Sequence, residues 1–473
     1  MSECCSDNKA YDVAVIGAGS AGFSAGITAA DEGARVLIIG HGTIGGTCVN
    51  VGCVPSKALI RAADTLHISR VAERFEGIKA SAEVTDWAAV IAQKQALVDD
   101  LRKAKYSDIL PAYQNITYLA GKASFTNDGK LQVDGESIDA KKIIIATGSR
   151  QSVPDIAGIE TVSYLTSTTA LEMTILPNSL MILGAGYIGV EIAQIFARAG
   201  VDVTLICRRG LLPDAEPEIS AALTTCFKAE GIKVISGISY KNIQQRDDAV
   251  VLVVENSCGE IEISAQKIMI ATGRQPNSDG LKLPGAKIDV TKNGGIIVDD
   301  HMRTSRAGVY AAGDVTGNDQ FVYMAAYGAK IAAKNAVGDG DLVYDNSVMP
   351  AVVFSDPQVA SVGLTEVEAI AQGLNVRTSV LSLDNVPRAL AARNTEGLIK
   401  LIADGATKKL IGAHILAPEG ADCIQTAAIA IKTGMTYEDL GAMIFPYLTT
   451  VEGLKLAAQT FDMDVKKLSC CAG

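Results

Sequence analysis

Two cysteines near the start of the chain are the residues best suited to redox chemistry. Cys48 and Cys53 stand five positions apart, with Gly52 between them. Such a pair can close a strained, easily reduced disulfide at the start of a helix, whose N-terminus stabilises a thiolate. Lys57 follows Cys53 by one helical turn, so a cation can sit near that thiolate. The motif predicts a redox-active dithiol.

A zinc site is the rival interpretation of these two cysteines. The chain contains four histidines, and none has ligand spacing to Cys48 and Cys53. Structural zinc needs four such ligands at close spacing, so the histidine positions argue against it.

A second cysteine pair, Cys470-Cys471, stands two residues before the end of the sequence. Adjacent cysteines form a poor structural disulfide, and we expect a mobile tail over residues 466–473. A mobile dithiol suits the capture of a soft metal ion or of another protein's disulfide. A third pair, Cys4-Cys5, lies in a polar tail over residues 1–9. It is either a minimal metal scavenger or incidental.

The elements that must position these cysteines include one unit that occurs twice. Residues 11–39 read as strand, glycine turn, helix and strand, and residues 180–206 repeat this order without a gap. In each unit a Gly-x-Gly-x-x-Gly turn opens the helix, at Gly17 and at Gly184. These glycines let the backbone approach a pyrophosphate at a helix N-terminus. Two units predict two bound dinucleotides.

The end of the second strand in such a unit normally carries an acid that binds the ribose. Here Gly40 and Cys207 occupy those positions, and neither is acidic. Arg208 and Arg209 follow at once in the second unit, which favours a 2′-phosphate and hence NADPH; a solvated basic turn is the alternative. In the first unit, the missing acid has no explanation in the sequence.

Composition limits the other possibilities. The chain has 473 residues, is 48% apolar, carries a net charge of −11 and contains ten cysteines. The acidic balance argues against nucleic acid and anionic membranes as partners, and no apolar run approaches a membrane span. The polar start lacks a secretory signal pattern, so we expect a cytoplasmic protein. Cys207, Cys226, Cys258 and Cys423 are predicted to be packing residues.

The positions of the two glycine-turn units, and of the segments around the second one, predict the order of the domains. Apolar strands ending in Ala-Thr-Gly at residues 146–148 and 271–273 bracket the second unit, and alternating strands begin after residue 345. We predict an α/β fold with two Rossmann-like dinucleotide-binding domains and a C-terminal α+β domain. The predicted ranges are 10–150 and 275–345 for the first domain, 151–274 for the second and 346–465 for the third.

With these motifs, the chain resembles the flavin-dependent pyridine nucleotide-disulfide oxidoreductases over residues 10–465. The resemblance implies FAD in the first unit, NADPH in the second, and a homodimer built through the C-terminal domain. It also implies that Cys53 is the thiolate against the flavin and Cys48 the outer, exchanging sulfur. Glu191 matches an acid that pairs with Lys57, and Tyr187 matches a ring that covers the nicotinamide pocket.

The remaining site residues are carried over by position. Those implied to bind FAD are Gly17, Gly19, Ala21, Gly22, Gly42, Thr47, Lys57, Gly121, Thr147, Gly148, Gly313, Asp314 and Val322. Those implied to bind NADPH are Gly184, Gly186, Tyr187, Gly189, Arg208, Arg209 and Gly273.

One departure from the family indicates the substrate. Disulfide reductases of this family carry a His-Pro near the C-terminus that protonates the leaving thiol, whereas this chain has Phe445-Pro446. His414 lies in an apolar strand and is predicted to be a core residue. The segment around Tyr447, the segment around Tyr164 and the terminal Cys470-Cys471 resemble those members of the family that reduce Hg(II).

This resemblance implies that Cys470 and Cys471 of one subunit pass Hg(II) from small thiols to Cys48 and Cys53 of the other. Tyr164 and Tyr447 are then placed beside the metal, or are ordinary half-buried tyrosines. A thioredoxin reductase-like disulfide reductase is the alternative enzyme, and a non-catalytic thiol buffer for metal is the alternative outside catalysis.

Overall fold

A computed structural model describes residues 10–467 of the chain. Its strands are β1 Tyr11–Ile16, β2 Val36–Gly40, β3 Ile116–Ala120, β4 Ala123–Phe125, β5 Leu131–Val133, β6 Glu136–Ser137, β7 Ala140–Ile145, β8 Ser149–Gln151, β9 Ser179–Leu183, β10 Asp202–Ile206, β11 Lys233–Ile235, β12 Ser239–Arg246, β13 Ala249–Asn256, β14 Gly259–Ala265, β15 Lys267–Ile270, β16 Arg274–Pro276, β17 Val309–Ala311, β18 Ala351–Val353, β19 Gln358–Gly363, β20 Val376–Ser382, β21 Leu398–Asp404 and β22 Leu410–Ala417. Its helices are α1 Ser20–Asp31, α2 Gly46–Val51, α3 Cys53–Arg70, α4 Trp87–Arg102, α5 Ser167–Leu171, α6 Tyr187–Arg198, α7 Pro217–Ala229, α8 Val322–Val337, α9 Glu366–Ala371, α10 Pro387–Ala391, α11 Gly420–Lys432, α12 Tyr437–Ala442 and α13 Glu452–Gln459.

The chain forms two compact units. Among the described residues, the first contains 10–55 together with 92–152 and 273–345, and the second contains 56–91, 153–272 and 346–467. This division follows compactness, so the predicted boundaries of the three domains stay a prediction.

The first unit is built on a parallel sheet in the order β17-β7-β1-β2-β3. Its central strands β1 and β2 are apolar and largely buried, because α1 and α8 cover one face of the sheet and β4 and β5 pack on the other. Helix α1 packs closely on α8 because its buried face consists largely of alanine and glycine. A small antiparallel sheet of β4, β5 and β6 and the ribbon β16-β8 complete this unit.

The second unit contains three further sheets. A parallel sheet in the order β11-β10-β9-β15 carries the repeated strand-turn-helix-strand pattern, and the antiparallel β12-β13-β14 lies beside it in the chain. An antiparallel sheet in the order β18-β19-β22-β21-β20 with α11, α12 and α13 forms the C-terminal α+β part. The predicted fold class is confirmed.

One detail corrects the sequence interpretation, and a second confirms it. Cys258 was expected to pack in a core but is exposed at the turn between β13 and β14, whereas Cys207, Cys226 and Cys423 are buried. His414 is 3% exposed in β22, which confirms it as a core residue. None of the helices between residues 10 and 467 combines the length and apolar character that a membrane crossing requires.

Candidate active site

The first glycine turn lies in the first unit, between β1 and α1. Gly17 has φ +126°, and a Cβ there would overlap the carbonyl oxygen of Ala146. A Cβ on Gly22 would overlap the Gly17 carbonyl. Helix α1 begins after Gly19 with no acidic residue in its first turn and no side-chain cap. Its first N–H groups are therefore available to an anion.

The redox motif lies directly against this turn. Gly45 N donates to Ala18 O at 2.8 Å, and Gly45 forms a bridge with Gly19. A Cβ on Gly46 would come within 2.6 Å of the Gly19 Cα, so the two turns require glycines where they meet. Cys48 lies in α2, Cys53 is the first residue of α3, and both are half-buried. The fold thus brings the predicted dithiol to the glycine turn.

Tyr106 lies near the two cysteines and was not identified from the sequence. Its hydroxyl is 3.2 Å from Ser20 Oγ, and its ring meets Phe23 edge-on at 4.9 Å between centroids. Burial raises the pKa of Tyr106, with a smaller contribution in the same direction from Cys48 and Cys53. Tyr106 belongs to a π-helical segment, Lys103–Ser107, a conformation common at functional sites.

A polar triangle forms around Asp314, also in the first unit. Ser149 Oγ donates to Asp314 Oδ2 at 2.6 Å and accepts from Arg274 Nε at 2.6 Å. The Arg274 guanidinium also donates to Ser149 O, and its Nε lies 3.7 Å from Asp314 Oδ2. Burial lowers the pKa of Arg274, opposed by the charges of Asp314 and Cys53.

The other residues expected at FAD lie around these turns in the same unit. Thr147 donates to Asn277 O at 2.7 Å, and Asn277 N donates back to Gly148 O at 2.9 Å. Gly313 lies between α1 and α8, and a Cβ there would come within 3.2 Å of Ala21. The remaining members occupy loops or helix starts, namely Gly42, Thr47, Gly121 and Val322.

The second glycine turn repeats the first in the second unit. A Cβ on Gly184, which has φ +102°, would overlap the carbonyl oxygen of Ala271, and one on Gly189 would overlap the Gly184 carbonyl. Helix α6 begins after Gly186, again with no acidic first turn and no side-chain cap. A Cβ on Gly186 would stand in open space. This turn therefore offers a second anion site of the same construction.

The strand that follows ends at the predicted nucleotide-selecting position. The buried Cys207 thiol donates to Arg209 O at 3.2 Å, and burial raises its pKa to about 11. Arg208 is exposed, and Arg209 Nη2 lies 3.1 Å from Asp214 on the surface. Leu212 N donates to Ala185 O at 2.8 Å, so the loop after β10 contacts the second glycine turn. Tyr187 opens α6 and is 39% exposed.

Lys57 and Glu191 form an ion pair inside the second unit. Lys57 Nζ donates to both carboxylate oxygens of Glu191, at 2.9 and 2.7 Å, and lies 4.7 Å from the centre of the Phe354 ring. Phe354 N donates to Glu191 Oε1 at 2.9 Å. The pair expected from the family resemblance is therefore present, and three segments converge on it.

A buried charge cluster continues the same face of α6. Arg198 is 1% exposed, and it contacts Asp64 at 2.8 Å, Glu230 at 2.7 Å and Asp356 at 2.9 Å. These partners come from α3, the end of α7 and the β18–β19 loop. The cluster ties α6 to α3, the helix that carries Lys57.

The C-terminal segment of the second unit contains Phe445, which stands where disulfide reductases of the family have a histidine. The Phe445 ring packs against the core of the antiparallel sheet, while Ile444 and Tyr447 are exposed. His414 Nε2 donates to Leu364 O at 3.0 Å, and burial lowers its pKa. Tyr164 is half-buried beside the core of the β9 and β13 sheets. Cys4, Cys5, Cys470 and Cys471 lie outside the described residues.

Sequence reasoning missed Ser149, Arg274 and Tyr106. Arg274 carried a signal, because a charged residue directly follows an apolar strand and a glycine at residues 267–273. Tyr106 carried none, since its approach to Ser20 joins residues 86 positions apart.

The chain belongs to the pyridine nucleotide-disulphide oxidoreductase family. Residues 11–340 match the family's model, and residues 349–458 match the model of its dimerisation domain.

Among its relatives, a mercuric reductase from Lysinibacillus sphaericus is 45% identical over 98% of this chain and 85% of its own length. A mercuric reductase from Streptomyces lividans is 44% identical over 98% of both chains. Among solved structures, the Cu(II) complex of the HOCl-induced flavoprotein disulfide reductase RclA from Escherichia coli matches with a TM-score of 0.85, at 30% identity, over 96% of this chain and 99% of that one.

Proposed function

We propose that this protein is an NADPH-dependent Hg(II) reductase with FAD in the first unit and NADPH in the second. Phe445 carries the proposal, because an apolar ring that is partly buried against the core stands where disulfide reductases of the family place an imidazole. Among residues 346–467, His414 cannot replace it, since it is buried and bonded to Leu364 O. The mercuric reductase relatives point to the same reaction.

Both glycine turns fit a dinucleotide. In each glycine turn, a glycine stands where a Cβ would collide with neighbouring backbone. Each turn is followed by a 12-residue helix that has no acidic residue near its N-terminus. A pyrophosphate would be held by the first N–H groups of α1 and of α6. Asp314, Thr147 and Gly148 would hold the remainder of FAD, and Arg208 and Arg209 the 2′-phosphate of NADPH.

The chemistry that FAD would supply when bound is two-electron transfer from NADPH to the site of Cys48 and Cys53. Cys48 and Cys53 provide two thiolates, the ligands that soft Hg(II) prefers. Thiolate exchange moves Hg(II) without a proton donor, which agrees with the absence of an imidazole at Phe445. The reaction balances as NADPH + Hg(II) giving NADP⁺, H⁺ and Hg(0).

Delivery of the metal completes the proposal. Cys470 and Cys471 of one subunit of a homodimer take Hg(II) from small thiols and pass it to Cys48 and Cys53 of the other. The match to the family's dimerisation domain over residues 349–458 supports a dimer. A cytoplasmic location belongs to the same proposal, because that compartment keeps small thiols and cysteine pairs reduced.

The test is NADPH oxidation with Hg(II) and excess small thiol, with release of volatile mercury measured in parallel. We expect both signals in equal amounts and no activity with oxidised thioredoxin. NADPH oxidation by thioredoxin alone would instead favour the disulfide reductase. Stoichiometric metal binding that then stops, with no volatile product, would favour a thiol buffer.

The relay is tested separately with the Cys470→Ala/Cys471→Ala variant. We expect it to retain FAD and the inner dithiol but to lose turnover at low thiol-bound Hg(II). Cys258→Ala, which removes an exposed cysteine in the β13–β14 turn, is the matched control. Unchanged turnover in the double variant would contradict the relay without affecting the proposed reaction.

A further inference from the structure

The position where a ribose-binding acid is expected in the first unit is occupied by another residue's side chain. Gly40 ends β2 and is buried. A Cβ on Gly40 would overlap the hydroxyl of Tyr118 and would come within 2.8 Å of its ring carbon Cζ. No side chain can therefore leave the end of this strand while Tyr118 is in place.

The neighbouring strand explains how Tyr118 reaches this position. Strand β3 pairs with β2 in parallel, with Tyr118 beside Ile38 and Ala120 beside Gly40. The Tyr118 ring therefore extends along the sheet from its own position beside Ile38 to Gly40, at the end of β2. The same virtual Cβ on Gly40 lies 2.9 Å from the Cβ of Ala18, so the Tyr118 hydroxyl lies close to the first glycine turn.

The Tyr118 hydroxyl is suited to bind a ligand that lies beside the glycine turn and the end of β2. Within residues 10–467 it has no hydrogen-bond partner, although its ring packs on the alanine-rich core of the first unit. Burial raises the pKa of Tyr118, so the phenol stays protonated at neutral pH. A phenol can donate one hydrogen bond and accept another, which matches the vicinal hydroxyls of a ribose.

We propose that the Tyr118 hydroxyl binds the adenosine ribose of FAD, in the place that an acid occupies at the end of this strand in other dinucleotide-binding units. The inference rests on the proposed assignment of FAD to the first unit. Gly40 and Tyr118 then act together, because the absence of a side chain at position 40 makes room for the phenol. This accounts for the acid that the sequence lacks.

The experiment measures flavin binding to the apoprotein by fluorescence quenching. Three ligands are compared: FAD, FMN, which lacks the adenosine, and an FAD analogue whose adenosine ribose lacks both hydroxyls. For Tyr118→Phe we expect the FAD dissociation constant to rise about 2- to 12-fold, the loss of one neutral hydrogen bond. FMN affinity and affinity for the deoxygenated analogue should match the wild type. Tyr113→Phe, another partly buried tyrosine against the same core, is the control.

A second variant tests the pairing of the two positions. Gly40→Glu alone should weaken FAD binding, because its side chain collides with Tyr118. Gly40→Glu/Tyr118→Ala should bind FAD more tightly than Tyr118→Ala, since the carboxylate then takes over the ribose.

Wild-type FAD affinity in Tyr118→Phe, or an equal loss with FMN, would overturn the inference. So would a loss of FAD affinity on changing the adjacent exposed His41 to Ala while Tyr118→Phe is unaffected. Failure of the wild-type protein to bind FAD at all would instead remove the proposed function.

Discussion

Lys57 Nζ donates to both carboxylate oxygens of Glu191, and the backbone N–H of Phe354 donates to one of them. The Glu191 side chain is 7% exposed and that of Lys57 is 35% exposed, so the carboxylate is the more deeply buried charge. The two partners should therefore respond differently to substitution.

We expect Glu191→Gln to fold normally and to slow flavin reduction by NADPH by about 10- to 100-fold, because Lys57 loses a charged hydrogen-bond partner. Lys57→Met leaves the buried carboxylate without its cation and should destabilise the protein more, by on the order of 2–3 kcal/mol. Stopped-flow reduction and urea unfolding measure the two effects. Glu172→Gln, on the surface, is the control. Equal stability of both variants would contradict this difference.

The Ser149–Arg274–Asp314 triangle leads to a second prediction. Arg274→Met removes the cation beside Asp314 and the donor that orients Ser149 Oγ. We expect a FAD dissociation constant raised by about 10-fold or more, since hydrogen bonds to charged groups are among the stronger ones. Arg274→Lys should retain part of the affinity because it keeps the charge. The measurement is flavin retention during gel filtration, together with fluorescence titration. Arg246→Met, whose ion pair with Glu262 is exposed, should leave FAD affinity unchanged.

The glycine turns could be predicted from the sequence, whereas the Ser149–Arg274–Asp314 triangle could not. Both dinucleotide-binding units were predictable, because each lies within about 30 consecutive residues whose glycines and apolar strands carry the pattern. The second unit was predicted to end at residue 206, and strand β10 ends there, with bounds Asp202–Ile206.

Features that depend on distant pairing were not predictable. Tyr118 fills the space at Gly40 from a strand 78 positions further on, and Arg274 reaches Ser149 across 125 positions. Strand β20 shows little apolar pattern in the sequence, because it is half-exposed and lies at the sheet edge beside β21. The local sequence around a strand end does not indicate which distant side chain the fold places beside it.

His414 leads to a prediction about pH. Burial lowers its pKa below the usual value of 6.5, partly offset by the hydrogen bond to Leu364 and the charge of Glu216. The folded protein therefore binds fewer protons here than the unfolded chain. Its contribution to stability is fully present above about pH 6.5 and is lost as the pH falls toward the folded pKa, by up to about 1.4 kcal/mol per pH unit.

Urea unfolding between pH 7.5 and 5 measures this loss. The slope should be smaller in His414→Gln than in the wild type, and unchanged in His41→Gln, whose side chain is exposed. Equal slopes in all three proteins would assign the pH dependence to other groups.

The cysteines outside the redox motif should differ sharply in reactivity. Burial raises the pKa of Cys207 and of Cys226 to about 11, and that of Cys423 to about 12. Cys258 is exposed at a turn. Because the thiolate is the species that reacts with alkylating agents and Hg(II), the three buried thiols should react at least about 100-fold more slowly than Cys258 at pH 8. A mercury-reducing enzyme would gain from this, since buried thiolates would otherwise trap its substrate.

Iodoacetamide labelling of the native protein, followed by peptide mass spectrometry, gives the individual rates. Labelling in urea serves as the control, because all four thiols should then react alike, and Cys258→Ser should remove the fast label from the peptide that contains residue 258. Rapid labelling of Cys207, Cys226 or Cys423 in the folded protein would show that burial does not protect them. Stoichiometric Hg(II) binding to these three residues would contradict the prediction in the same way.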